Sequence, residues 1–282
     1  MTKSIMDQYS FPDGYKMPIE GFGVYKLDDQ KIMNAAINQA IDSGYRLFDT
    51  AQAYANETML GKALKQTNVP RSELFITTKV AEKNQGYDET LASFDDSLQR
   101  LDTDYVDLLL VHWPIHSSFF ATWRALEHLK QEGTVREIGV SNFHQTHLDY
   151  LATQANEMPV VNQIENHPYL SQEALVSYGK TNHIITQAWS PLGRGTVLKD
   201  PVIGQLATKY AKTPAQIILR WHLQRGLSFI PKSKNPARIA QNAAIYDFTL
   251  SDVDMTNLNQ LNKNQRTGDD PELVYELEHQ YH

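Results

Sequence analysis

The sequence predicts an α/β protein folded as one closed (β/α)8 barrel, a TIM barrel. Short apolar runs alternate with segments whose apolar residues recur at helical spacing. The runs are apolar on both faces, as in a parallel sheet covered by helices. Counting from Ile19 there are eight strand–helix units, and eight such units in about 250 residues suit a closed barrel. A doubly wound open sheet is the structural alternative. Linkers are short and no composition break marks a second domain, so residues 1–282 read as one.

In order, residues 9–18 read as a hairpin, with Asp13-Gly14 as its turn. Ile19–Tyr25 reads as a short strand broken by glycines. Residues 29–43 carry apolar side chains at helical spacing, and Gly44 stops that helix. Tyr45–Phe48 is the next strand. Residues 56–66 read as a helix with Asn56 as its cap and Glu57 in its first turn. Leu74–Thr78 is a strand ending at Lys79. Residues 87–101 place Tyr87, Leu91, Phe94, Leu98 and Leu101 on one helix face. Tyr105–Val111 is a strand ending at His112, and a helix over 119–131 stops at Gly133. Val135–Val140 ends at Ser141-Asn142 and precedes a helix over 144–153; Val160–Ile164 bears Gln163 and precedes a helix over 171–180. Ile184–Ala188 ends at Trp189, and helices over 201–210 and 214–225 follow. Leu227–Ile230 ends at Pro231-Lys232-Ser233, and a helix covers 236–245. From about 262 the tail is polar and acidic; packing over one mouth of the barrel and partial mobility both suit it.

A chain of 282 residues buries roughly 75% of its unfolded surface and needs no staples. Cysteine is absent, which excludes disulfides and thiolate metal sites. The N-terminus lacks the apolar core of a signal peptide, and no apolar run approaches the ~20 residues that cross a bilayer. A soluble, cytoplasmic protein with no membrane partner is expected. A formal charge of -7 and a pI near 5.8 argue against a general nucleic-acid binder.

Polar residues end most of the strands: Asp49, Lys79, His112, Ser141-Asn142, Gln163 and Lys232-Ser233. In a barrel these ends converge on the face where active sites occur. Singly, each has a plain reading: Asp49 as a helix cap, Lys79 as a surface lysine, His112 as a core histidine. Together they would face one another. An Asp49–Lys79 pair keeps the lysine charged despite burial. Lys79 and His112 then act on the phenol of Tyr54. Bringing a tyrosine near neutral takes about three pKa units, or roughly 4 kcal/mol. One cation at ~4 Å in an effective dielectric of ~20 supplies about that much. Such a tyrosine protonates a developing alkoxide.

The chain resembles the aldo-keto reductases from Met17 to about Pro271, and in particular the bacterial branch that includes 2,5-diketo-D-gluconate reductases. The resemblance rests on Met17–Tyr25, Asp49–Tyr54, Asn56-Glu57 with Leu60-Gly61, Thr78-Lys79 and Leu110–Pro114. It continues through Ile138–Phe143, Asn162-Gln163 with His167-Pro168, Ser190–Gly193, and Ile230–Ser233 with Arg238-Ile239. It implies a barrel plugged at the bottom by the hairpin, with a tail near the top and a catalytic tetrad of Asp49, Tyr54, Lys79 and His112. Tyr54 is then general acid in reduction and base in oxidation of a small carbonyl substrate, possible ones being sugar-derived or dicarbonyl compounds. The resemblance also implies an extended NADPH/NADP+ across the top. Ser141, Asn142 and Gln163 hold its carboxamide, and Trp189 stacks on the nicotinamide. Ser190, Pro191, Leu192, Gly193 and Gly195 pass over the pyrophosphate. Lys232, Ser233 and Arg238 take the 2′-phosphate, a role that also suits a converging lysine and arginine on physical grounds. Gly23, Val24, Ile230, Pro231, Gln241 and Asn242 complete the cofactor set.

The chain departs from that pattern in places. Trp189 stands where many relatives have tyrosine, and Gln241 where a glutamate is common. The loop from Trp113 to Ser118 is short, which opens the mouth, and Tyr25 and Trp113 give it aromatic walls beside His112. Gly21-Phe22-Gly23 and Gly193-Arg194-Gly195 lack the third glycine of a Rossmann loop. Three rivals stand against this reading. A glycosidase needs two facing carboxylates, and beside Asp49 and Glu165 none reads as well placed. A metal hydrolase could use His112/His116 or His144/His147, but Pro114 breaks the first pair and the second shows no carboxylate partner. An NADPH-binding sensor or regulatory barrel with little turnover is the alternative of a different class. A monomer is expected.

Overall fold

In the computed structural model of the chain, residues 4–276 are described; residues 1–3, and 277–282 of the expected tail, lie outside them. Strands β1 (Gln8–Ser10) and β2 (Lys16–Pro18) pair antiparallel, with Tyr9 opposite Met17. Asp13 accepts the Tyr15 amide at 2.8 Å, and Gly14 takes φ +89° to turn the chain.

Eight parallel strands follow: β3 (Gly21–Gly23), β4 (Leu47–Asp49), β5 (Phe75–Val80), β6 (Val106–Val111), β7 (Val135–Ser141), β8 (Val161–Glu165), β9 (Ile185–Trp189) and β10 (Ser228–Phe229). Neighbours in sequence are neighbours in the sheet, and a parallel bridge from Glu20 to Phe229 closes the circle. The helices are α1 (Gln30–Asp42), α2 (Glu57–Lys65), α3 (Tyr87–Leu101), α4 (Phe119–Glu132), α5 (Gln145–Leu151), α6 (Glu173–Thr181), α7 (Pro201–Tyr210), α8 (Pro214–Gln224), α9 (Pro236–Ala243), α10 (Asp252–Asn259) and α11 (Pro271–Glu276). Among the described residues no helix is long and apolar enough to cross a membrane.

Local chemistry sets these boundaries. Thr213 and Gln216 cap α8 reciprocally, and Asp200 before Pro201 starts α7. Gly133 ends α4 at φ +81°. Inside the barrel only glycine fits at 139, because a Cβ there would lie 2.7 Å from the Val161 carbonyl and 2.8 Å from Leu110. Three expectations change. Asn56 heads α2 without capping it; its side chain instead accepts from Thr50 and donates to the carbonyls of Val24 and Leu27, tying the loop after β3 to the loop after β4. On α3 Phe94 and Leu101 are buried and Leu91 and Leu98 pack against the core as expected, but Tyr87 is exposed, and Thr90 and Ser97 join the buried face. Helix α10 lies where no helix was expected, capped by Ser251.

Phe11 and Met17 of the hairpin join Leu47, Phe75, Leu108, Leu110, Val161 and Ile230 in one apolar cluster inside the barrel. The hairpin thus plugs the bottom. Asp107 there accepts the Tyr15 hydroxyl at 2.5 Å, Arg71 at 2.7 Å and the Ile76 amide at 2.8 Å. Glu20 accepts the hydroxyls of Tyr45 and Tyr246 at 2.6 and 2.8 Å. The main core, including Phe22, Phe48, Phe94, Trp123 and Phe143, fills the space between strands and helices.

Candidate active site

At the other end, β4 and β5 bring Asp49 and Lys79 together. The Lys79 side chain is fully buried, and its Nζ donates to Asp49 Oδ1 at 2.6 Å and to the Thr50 carbonyl at 2.8 Å. Tyr54 lies on a single 3₁₀ turn, Gln52–Tyr54, that bends back over the strand ends, with Ala55 at φ +54° reversing the chain. Its hydroxyl is 3.5 Å from Lys79 Nζ. The second oxygen of Asp49 accepts from Gln163 at 2.7 Å, Gln163 donates to Gln187 at 2.7 Å, and Gln187 donates to Ser228 at 3.0 Å. This line of hydrogen bonds crosses the barrel interior and fixes the Asp49 carboxylate.

His112 follows β6, its ring edge-on to Tyr54 with centroids 5.9 Å apart. Its carbonyl accepts from Asn142 at 3.0 Å, and Asn142 in turn accepts the Trp189 indole N–H at 2.8 Å. Asn142 holds φ +64°, a conformation asparagine tolerates better than most residues. Ser141 donates to the Gln163 carbonyl at 2.8 Å. Tyr25 packs on Tyr54 with ring centroids 4.8 Å apart, and Trp113 adjoins His112. These two rings flank Tyr54 and His112, and α4 begins at Phe119 after a short loop.

The electrostatics correct one expectation. Tyr54 is not drawn toward neutral: burial, then the charge of Asp49, with Tyr25 and Glu82 adding, hold its hydroxyl well above the ordinary phenol value. A cation 3.5 Å away is worth about 5 kcal/mol at an effective dielectric of ~20. Asp49 sits closer to the same ammonium, however, and offsets it. Burial also draws Lys79 below its ordinary value, against the opposing pull of Asp49. Tyr54 therefore keeps its proton, the state a proton donor requires.

The residues expected to hold the cofactor sit at the same end. Gly23 donates to the Pro231 carbonyl at 3.2 Å, joining β3 to the segment after Ile230, and Val24 donates to the Asp49 carbonyl at 3.0 Å, joining it to β4. Ser190, at φ +45°, leads through Pro191 and Leu192 into a 3₁₀ turn, Gly193–Gly195. Lys232 is exposed beyond β10. Partial burial and then the nearby Lys234 hold its ammonium low; Lys26 adds to this and Asp28 opposes it. Ser233 precedes α9, Arg238 is exposed in its first turn, and Gln241 (exposed) and Asn242 (buried) lie further along it. Three lysines with one carboxylate for balance form a site short of negative charge, which fits the phosphate end of NADPH.

Sequence reasoning missed several partners. Glu82 stands 3.0 Å from His112, so the mouth does hold a carboxylate beyond Asp49 and Glu165. Glu165 accepts from His167, from the Thr267 amide and hydroxyl, and from the Gly268 amide. Glu272 stands 2.5 Å from His144 and 3.4 Å from His147, supplying the carboxylate that the sequence did not reveal. These contacts lay the tail from Thr267 to Glu272 over the mouth. A Cβ at Gly268 would sit 2.5 Å from the Trp189 ring, so the tail presses directly on that indole. Among the described residues no group of three or more His, Cys, Asp or Glu is placed to hold a metal ion.

The barrel thus carries at its mouth a buried Asp49–Lys79 pair in reach of Tyr54. The model of the Aldo/keto reductase family matches residues 21–263, and the chain belongs to that family. A glyoxal reductase of Bacillus subtilis (strain 168) is 46% identical over 276 residues, covering 98% of this chain and 100% of that protein. A methylglyoxal reductase, DkgA, of Yersinia pestis is 44% identical over 265 residues, covering 93% of this chain and 95% of the other. Among solved structures, the Gox0644 D53A mutant in complex with NADPH aligns with a TM-score of 0.89 at 42% identity, over 94% of this chain and 97% of that one.

Proposed function

We propose that this oxidoreductase uses NADPH to reduce small, uncharged aldehydes and dicarbonyls to alcohols, with Tyr54 as the proton donor. The observation that carries the reading is the chain of contacts Asp49–Lys79–Tyr54 at the barrel mouth. Relatives named glyoxal reductase and methylglyoxal reductase support the substrate class. So does the Glu82 carboxylate beside His112, which disfavours substrates carrying their own carboxylate.

Ser141, Asn142, Gln163 and Trp189 would hold the nicotinamide end, with Gly23, Val24 and the segments Ser190–Gly195 and Ile230–Ser233 along the body. Lys232, Ser233 and Arg238 would hold the 2′-phosphate, and Gln241 and Asn242 the adenine. Bound NADPH supplies the hydride for the carbonyl carbon. Tyr54 gives its proton to the oxygen, and Lys79 Nζ at 3.5 Å stabilises the phenolate left behind. Asp49 fixes Lys79 so that the ammonium is in place beforehand. His112, Tyr25 and Trp113 orient the carbonyl, and the tail over Trp189 shields the site from water.

The test follows NADPH absorbance over a panel of neutral and carboxylate-bearing aldehydes, with methylglyoxal and glyoxal included. Turnover is expected on the neutral members and should vanish in Tyr54→Phe. If wild-type protein bound NADPH yet matched Tyr54→Phe in rate across the whole panel, the alternative of a sensor barrel would replace this reading.

A further inference from the structure

Glu82 opens a single 3₁₀ turn, Glu82–Asn84, one residue beyond β5. Its Oε1 lies 3.0 Å from His112 Nδ1, with the two side chains 17% and 11% exposed. We propose that Glu82 is a positioning residue for His112, one that fixes the imidazole's ring and tautomer and so aims its other nitrogen at the reacting oxygen. The proposal rests on the function given above and adds a residue to its machinery.

The turn that carries Glu82 is tied on both sides to the catalytic groups. Gln52, in the same 3₁₀ turn as Tyr54, accepts from the Ala81 amide at 3.0 Å and from Asn84 at 2.8 Å. Gln52 is itself anchored on α3, donating to the Ser93 carbonyl and to Ser97, both at 3.1 Å. On the other side Gln85 donates to the Trp113 carbonyl at 2.7 Å and accepts from Ser118 at 3.2 Å. A segment held this way places its carboxylate reproducibly beside His112.

The chemistry of the pair is specific. Nδ1 of His112 is buried and has no aligned hydrogen bond, so Glu82 Oε1 is close to it but off the line of the N–H. Catalytic hydrogen bonds are often bent in this way before substrate arrives and tighten afterwards. Burial opposes ionisation of Glu82, but the imidazole of His112 beside it holds its carboxyl below the ordinary value. An ionised carboxylate is an acceptor only. It therefore assigns the Nδ1 proton and leaves Nε2 for the substrate side, as carboxylates do behind metal-bound histidines.

The experiment uses the full chain. Glu82→Gln keeps the shape and removes the charge, and Glu82→Asp keeps the charge on a shorter arm. Each is made alone and over His112→Ala, and kcat and KM are measured on methylglyoxal and 4-nitrobenzaldehyde with saturating NADPH. Glu82→Gln is expected to lower kcat about tenfold, the usual scale for a group behind a functional histidine. Glu82→Asp should recover part of that loss. Over His112→Ala the same change should cost less than about twofold, because the group it acts through is gone. Nitrogen-15 NMR of His112 should show a proton on Nδ1 in the wild type and a mixed tautomer in Glu82→Gln. That readout needs no turnover, so it stands even if the panel above fails. Full additivity of the two substitutions, or an unchanged nitrogen spectrum in Glu82→Gln, would overturn the proposal.

Discussion

The barrel carries buried charges at both ends and treats them oppositely. At the bottom Asp107 accepts from Tyr15, Arg71 and the Ile76 amide, all within 2.8 Å. Glu20 is clasped by two tyrosine hydroxyls. Those oxygens are spent on holding the hairpin and the β3 end in place. At the mouth Lys79 reaches Tyr54 only at 3.5 Å, and His112 Nδ1 has no aligned hydrogen bond. Short, aligned contacts give rigidity, while long or bent ones leave room to tighten when a substrate arrives.

Lys79→Met would break the contrast most sharply. It removes a contact of Tyr54 and leaves Asp49 as a buried, unpaired carboxylate. Activity should fall roughly a thousandfold, and stability by about 4 kcal/mol, read from steady-state rates and urea melts. A stable Lys79→Met protein with wild-type rates would dissolve the distinction between the two ends. Asp107→Ala should cost about 3 kcal/mol of stability while leaving kcat near wild type once the folded fraction is counted. A selective loss of kcat there would assign the bottom cluster a catalytic role.

Glu20 gives the contrast a pH signature. Burial pushes its carboxyl up to about 7 from 4.5, against the two tyrosine hydrogen bonds. Its folded pKa lies above its unfolded one, so its contribution to stability is full below about pH 4.5 and is lost as pH rises through about 7, by about 3 kcal/mol in total. The melting temperature of Glu20→Gln relative to wild type should therefore climb across that window. A flat difference would place the titration elsewhere. The smallest effect belongs to the exposed rim. Lys232→Gly or Arg238→His should weaken NADPH roughly tenfold, change NADH little and leave the melting temperature alone. Equal losses for both cofactors would remove the 2′-phosphate assignment.

The strand ends were legible because a two-sided apolar run announces both the strand and its last residue. Asp49, Lys79 and His112 could be placed at one mouth from spacing alone. What spacing does not carry is which loop folds back on which. Glu82, Gln52 and Gln85 sit in polar connections without periodicity, and their partners lie up to 45 positions away. The tail's anchor on Glu165 spans 102 positions. Helix α10 did leave a local mark, Ser251 three residues before Asp254, a capping pattern in a segment whose weak apolar periodicity hid it. Asn56 shows the reverse: the residue type suits a cap, and tertiary contacts claimed it for two carbonyls instead. The direction of Tyr54's shift needed the structure, because it depends first on how deeply the phenol is buried and then on the Asp49 charge beside it.

The most direct test is a single-turnover comparison of wild type with Tyr54→Phe. Oxidation of prebound NADPH by methylglyoxal is followed by stopped flow, and NADPH affinity is measured separately by fluorescence. The expected result is a rate for Tyr54→Phe lower by roughly a thousandfold, with NADPH affinity within about twofold of wild type. A Tyr54→Phe protein that oxidised NADPH at the wild-type rate would contradict the assignment of Tyr54 as the proton donor.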